Sequence, residues 1–188
     1  MPSAPKTSTP AKATPVTGQQ AEVRLLDSIS PQRHALNVRR RESPDAYLFD
    51  LLDAVKDPEI PVLSIWQLGI LQDVYRHEER VTVVITPTYS GCPATSWISQ
   101  QIVQQLQAAG FAEVAVEVRL APAWSTDWLE RSARRVLREY GIAGPQTTAC
   151  PQCGSQHTRR VSEFGSTPCK ALWQCLACQE PFDYFKPL

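Results

Sequence analysis

The chain of 188 residues has one methionine, three histidines and eight glycines, and its charges cancel, with 19 Lys and Arg against 19 Asp and Glu. A chain with no net charge carries no overall field that would steer it toward nucleic acid or anionic lipid. No apolar run reaches the length of a membrane span, and no signal-peptide core follows Met1, so a cytoplasmic protein with no membrane partner is expected. No Glu-x-x-His occurs, which speaks against a di-iron carboxylate helix pair. The absence of a Gly-x-Gly-x-x-Gly loop speaks against a flavin or nicotinamide site. None of His34, His77 and His157 stands near Cys92, so no general base for cysteine catalysis can be named and a hydrolase is disfavoured.

What the chain does have is six cysteines, four of them in two Cys-x-x-Cys pairs, Cys150–Cys153 and Cys175–Cys178. Two intervening residues let the backbone turn both sulfurs of a pair to one point, and two such pairs close a tetrahedral site. Gly154 follows the first pair and permits the positive φ that such a knuckle requires. The 21 residues between the pairs leave room for short strands. This spacing predicts a zinc ribbon over 145–188 with zinc as structural cofactor. Reduced metal-binding thiols also suit an intracellular setting better than a disulfide framework does. Residues 146–188 carry four basic and three acidic groups and residues 46–145 eight and twelve, a distribution that argues against a nucleic-acid partner.

Pro, Ala, Thr and Ser dominate the first twenty residues, and no aromatic residue is found there. Residues 1–42 are read as a disordered tail with one short helix around Glu22–Ile29, ending in Arg39-Arg40-Arg41. Order is expected from Ser43, with Ser43 as N-cap and Pro44 at the first helical position, and Asp57-Pro58 stopping the helix. Ile70–Tyr75 and Val81–Thr86 alternate as a β-hairpin. Cys92-Pro93 opens a second helix with Ala94, Ile98, Ile102, Leu106 and Ala109 buried. Val114–Leu120 reads as a half-buried strand. A third helix over Asp127–Tyr140 buries Leu129, Ala133, Val136, Leu137 and Tyr140 and presents a row of arginines to solvent. The fold class is α+β, helix-strand-strand-helix-strand-helix over 43–144, followed by the ribbon.

Cys92 stands apart from the two pairs. As N-cap ahead of Pro93 it would face unpaired helix amides, which favour thiolate and lower its pKa. A thiolate there can ligate iron or a cluster, attack an electrophile or form a transient disulfide. A free cysteine can equally be a small buried hydrophobe, and both readings stand. Asp57 and Glu59, two residues apart in a proline-stiffened stretch, project to one side and can assist a metal or a thiol, or be solvated acids of a rigid turn. Cys169, between the knuckles, is read as a structural thiol because four ligands already close the ribbon site.

Several segments carry a family resemblance. Asp57-Pro58-Glu59-Ile60-Pro61-Val62, Leu68-Gly69-Ile70 and Ser90-Gly91-Cys92-Pro93 resemble the domain shared by cytosolic iron–sulfur assembly proteins and SufT-type factors. Ala121-Pro122-Ala123-Trp124-Ser125-Thr126-Asp127-Trp128, Glu163-Phe164-Gly165-Ser166-Thr167-Pro168-Cys169-Lys170 and Glu180-Pro181-Phe182-Asp183-Tyr184-Phe185 narrow it. These look like the D subunits of bacterial phenylacetyl-CoA epoxidases, over residues 43–188. The resemblance implies a non-enzymatic accessory or maturation protein in aerobic phenylacetate degradation, serving the reductase or di-iron oxygenase component. It implies an iron or iron–sulfur transfer site at Cys92, Asp57 and Glu59, with a transient iron or cluster as cargo. The alternative is a purely structural zinc-ribbon scaffold. Association with further copies of the chain stays open. The family usually has an acid where this chain has Gln67, a neutral and weaker ligand.

Overall fold

The computed structural model of the protein describes residues 29–188. Helix α1, Pro31–Glu42, corrects the tail expectation over those residues. Its N-cap Ser30 accepts a hydrogen bond from the Arg33 amide, and Pro31 sits in the first turn. A polar composition made this segment read as solvated, yet tertiary packing buries one face of it, with Arg33 only 2% and Leu36 only 4% exposed. Arg33 Nη1 donates to the carbonyls of Trp66 and Trp128 at 2.7 and 3.3 Å, and its guanidinium lies 4.3 Å from the centre of the Trp66 ring. Burial pulls the Arg33 pKa down to about 10. The short helix expected around Glu22–Ile29 lies outside the described residues except for its last position.

Helix α2, Ala46–Leu52, begins later than the sequence suggested. Ser43 does not cap it but holds the preceding turn, its hydroxyl accepting from the Asp45 amide at 3.0 Å. Leu48, Phe49 and Leu52 face the core. From Asp53 to Gly69 the chain is irregular yet largely buried. A backbone confined to the interior needs internal hydrogen bonds, and here they include Asp57 N to Leu63 O at 3.0 Å and Ile65 N to Val55 O at 3.0 Å. Gly69, at φ +73°, closes the segment. A Cβ there would lie 2.6 Å from the Trp128 carbonyl oxygen, so only glycine fits.

Strands β1 (Leu71–His77) and β2 (Arg80–Ile85) form the expected antiparallel hairpin, and β3 (Glu113–Val118) lies parallel to β2. The crossover between β2 and β3 is helix α3, Ala94–Ala108, which buries Ala94, Ile98, Ile102 and Leu106. Ala109 is exposed, outside that stripe. Val118, the last residue of the edge strand β3, and Leu120 beyond it are also exposed. The predicted single helix over Asp127–Tyr140 is two elements, a 3-10 turn at Thr126–Trp128 and helix α4 at Arg131–Glu139. Leu129, Ala133 and Leu137 are buried as expected, Val136 is half-buried, and Tyr140 is exposed because it falls past the last helical turn.

The second sheet has the order β4-β7-β6-β5, from β4 (Ile142–Ala143), β5 (Thr158–Ser162), β6 (Lys170–Cys175) and β7 (Pro181–Phe185). Strand β4 lies before the expected linker at Gly144 yet pairs in parallel with β7, so the ribbon sheet reaches back across that boundary. Phe185 is fully buried against Trp124, ring centres 5.9 Å apart and edge-to-face, in the same apolar core as Ile142 and Cys169. The aromatic residues of the last strand therefore pack rather than protrude: Phe182 fills the small ribbon core and the Tyr184 hydroxyl donates to Pro145 O at 3.1 Å. Among the described residues no helix is long and apolar enough to cross a membrane.

Candidate functional site

The ribbon brings all four paired cysteines to one point. The ligand sulfurs of Cys150, Cys153, Cys175 and Cys178 lie within 4.8 Å of one another, with Cys150–Cys178 at 3.7 Å and Cys153–Cys175 at 3.6 Å. Tetrahedral thiolates about 2.3 Å from one ion stand roughly 3.8 Å apart, so the quartet fits a single tetrahedral cation. Such separations are far too long for disulfides, and all six cysteines are free. Gly154 adopts φ +74° and donates to the Cys150 carbonyl at 2.9 Å, which closes the first knuckle. In the second knuckle the amide N–H groups of Cys178 and Ala177 draw the Cys175 thiol down to about 6. Cys178 responds in the opposite sense. Although the Glu180 amide favours its thiolate, desolvation and the neighbouring sulfurs hold it up at about 12. For Cys178 to join the others as a thiolate, a compensating cation is needed. The quartet is complete without His157.

The other site lies at the mouth of the loop before α3. Cys92 is half-buried rather than sealed in hydrocarbon. It is not the N-cap: that position belongs to Pro93, and the helix starts at Ala94. The expected lowering of its pKa is also overturned. Burial pushes the Cys92 thiol up, and the Ala94 amide offsets this only in part because the Glu59 and Asp57 carboxylates oppose a second negative charge. Tyr89, three residues earlier, is pushed up to about 12 by burial and by the field of Cys92, Glu59 and Cys169, and its hydroxyl is hydrogen-bonded with Cys92.

Asp57 and Glu59 share this environment but differ in duty. Asp57 is 5% exposed, and its Oδ1 accepts from the amides of Glu59 and Ile60 at 2.8 and 2.9 Å. Those bonds form the proline-flanked turn that aims Glu59. Burial raises both carboxyl pKa values, and for Glu59 the Asp57 charge adds to it. Reading the sequence missed where Cys169 stands. Its thiol donates to Glu59 Oε2 at 3.8 Å from a position 110 residues away, and burial raises its pKa to about 11. The one signal available was its place in the Phe164–Lys170 stretch that helped carry the family resemblance. Lys170 follows and is almost wholly buried, with Nζ donating to Glu59 O at 3.4 Å and pairing with Asp183 at 3.2 Å.

Two family models divide the chain. Residues 45–139 match the iron–sulfur cluster assembly protein family, and residues 139–186 match the PaaD zinc beta ribbon domain. A protein of Escherichia coli (strain K12), described as the D subunit of 1,2-phenylacetyl-CoA epoxidase, is 47% identical over 149 residues, which are 74% of this chain and 90% of that one. The chain belongs to the D-subunit family of phenylacetyl-CoA epoxidases. An Fe-S protein maturation auxiliary factor of Porphyromonas gingivalis is 31% identical over 85 residues, 44% of this chain and 80% of that protein. A solved DUF59 domain from Bacillus anthracis is 30% identical with a TM-score of 0.46, covering 49% of this chain and 89% of its own.

In this D-subunit family member the junction of the two matched segments, at residue 139, coincides with the end of α4. Gln67 serves the local fold. Its Oε1 accepts from the Ser64 amide at 3.0 Å and its Nε2 reaches Ser132 Oγ at 3.4 Å.

Proposed function

We propose that this D-subunit family member is an accessory, non-catalytic component of phenylacetyl-CoA ring epoxidation that carries iron or an iron–sulfur cluster to a metal centre of the reductase or oxygenase component, or helps repair that centre. Cys92 is the cargo ligand, with Glu59 beside it and Asp57 shaping the turn. The observation that carries this reading is that Cys92 is half-buried while its thiol lies in the field of both carboxylates. A thiol held protonated by its surroundings yields to a cation and takes its proton back when the cation leaves, which suits delivery better than storage. The ribbon quartet has the opposite character. Four converging sulfurs make a closed site with no position open for exchange, and zinc is the resident ion we assign to it. Its work is to fold the last forty or so residues against the domain.

The test is Cys92→Ser in cells that depend on ring epoxidation. Lower iron content and lower activity of the partner component, with zinc still bound to the variant, support delivery. Unchanged partner loading would leave a structural scaffold as the role of this chain.

A further inference from the structure

In the site assigned to Cys92, the Glu59 carboxylate is hydrogen-bonded by a second sulfur supplied from the ribbon. Cys169 takes no part in the quartet, and a thiol that merely fills space would have hydrocarbon on all sides. Its Sγ instead lies 3.1 Å from Thr167 Oγ1 and 3.8 Å from Glu59 Oε2, with the Lys170 ammonium following in sequence. The loop that delivers it is held at several points. The Gly165 amide donates to Lys170 O at 2.8 Å, Ser166 Oγ donates to Asp183 at 2.9 Å, and the Lys186 amide donates to Cys169 O at 3.0 Å. A Cβ on Gly165 would stand 2.7 Å from Asp183 Oδ1, so the loop lies tight on β7. The Tyr89 hydroxyl lies in the joint field of Cys92, Glu59 and Cys169, and Cys92 packs against the same apolar core that holds Cys169.

We propose that Cys169 is the second sulfur of the cargo site, so that a thiophilic divalent cation is held between Cys92 of the assembly domain, Cys169 of the ribbon and the Glu59 carboxylate. This rests on the reading of Cys92 given above and deepens it, because neither module alone then has a complete site. As each metal–sulfur bond forms, one thiol proton passes to solvent, and no electron is exchanged. Among the described residues the ribbon quartet is the group of three or more ligand atoms that already converges within 4.8 Å. The split site is therefore open as it stands and closes only on its cation, in keeping with a cargo that must leave again. The ribbon ion gains a second consequence: by ordering β6 it keeps Cys169 in reach of Glu59.

The experiment is an anaerobic titration of the full, zinc-loaded chain with Co2+, reading thiolate-to-cobalt charge-transfer absorption per bound cobalt while elemental analysis confirms that zinc stays. Wild type should show two cobalt–sulfur bonds. Cys92→Ser and Cys169→Ser should each remove about half of that absorption and weaken binding by about tenfold or more. If Cys169→Ser leaves both unchanged while Cys92→Ser does not, the split site is wrong and the Cys92 reading survives. If neither substitution has an effect, both fall. Should Cys169→Ser lose zinc or fold poorly, X-ray absorption at the cobalt edge of the wild type decides instead: two sulfur neighbours support the proposal and one overturns it.

Discussion

The Cys169 thiol donates to Glu59 Oε2 at 3.8 Å, joining residues 110 positions apart and belonging to two different modules. That contact makes the ribbon more than an appendage, since it ends where the assembly domain has its half-open cysteine. The aromatic lock between Phe185 and Trp124 and the Lys170 Nζ–Glu59 O hydrogen bond hold the two modules in this register.

Alkylation of Cys92 by iodoacetamide, followed on its own peptide by mass spectrometry, should climb with pH and still be rising above pH 9. Only the thiolate reacts, and burial with two nearby carboxylates raises the pKa above the ordinary value of 9.0. Glu59→Gln removes one of those charges, so its profile should shift to lower pH. A plateau reached near neutrality would contradict this electrostatic account.

Phe185→Ala should destabilise the chain by about 3–5 kcal/mol, the usual cost of emptying a buried aromatic site. Because Phe185 is fully buried beside Trp124, the same change should quicken amide exchange in β7 and make Cys169 accessible to alkylation. Chemical denaturation with thiol labelling checks both.

Cys175→Ser should release the ribbon ion and unfold β5 to β7, because a structural site with three thiolates left loses most of its binding energy. Elemental analysis should find the metal gone. Hydrogen exchange should show lost protection between residues 150 and 185, with the β1–β2 hairpin still protected.

Gly69→Ala should cost about 2 kcal/mol or more, combining the strain of an alanine at φ +73° with a Cβ 2.6 Å from the Trp128 carbonyl oxygen. Thermal unfolding provides the measurement. A variant as stable as wild type would mean that the 53–70 segment and Trp128 are not packed as described.

Removal of residues 1–42 should lower the melting temperature, and Arg33→Ala in the full chain should account for much of the loss. Arg33 lies against the Trp66 ring and donates to the carbonyls of Trp66 and Trp128, contacts that its removal forfeits in a buried setting.

Local chemistry wrote much of this protein plainly. The doubled Cys-x-x-Cys spacing specified the quartet, because two residues between cysteines suffice to turn both sulfurs one way. Alternating valines in β2 and the 98–102–106 stripe of α3 specified their elements, because a strand or helix buries residues at its own period. The polar α1 was illegible for the converse reason. A helix whose buried face is an arginine and one leucine has no periodic apolar signal, and only the Trp66 ring makes that face worth burying.

The sequence by itself determined the two modules, the ribbon ligands and the suspicion attached to Cys92, Asp57 and Glu59. Tertiary structure alone decided how Cys92 titrates and what stands opposite it. A thiol's pKa depends on burial and on charges from segments distant in the chain, and the helix start read from sequence supplied only the weaker, opposing contribution. Cys169 reached Glu59 by the same route: sheet pairing and the seating of Phe185 brought it there, and no spacing rule along the chain encodes such a meeting.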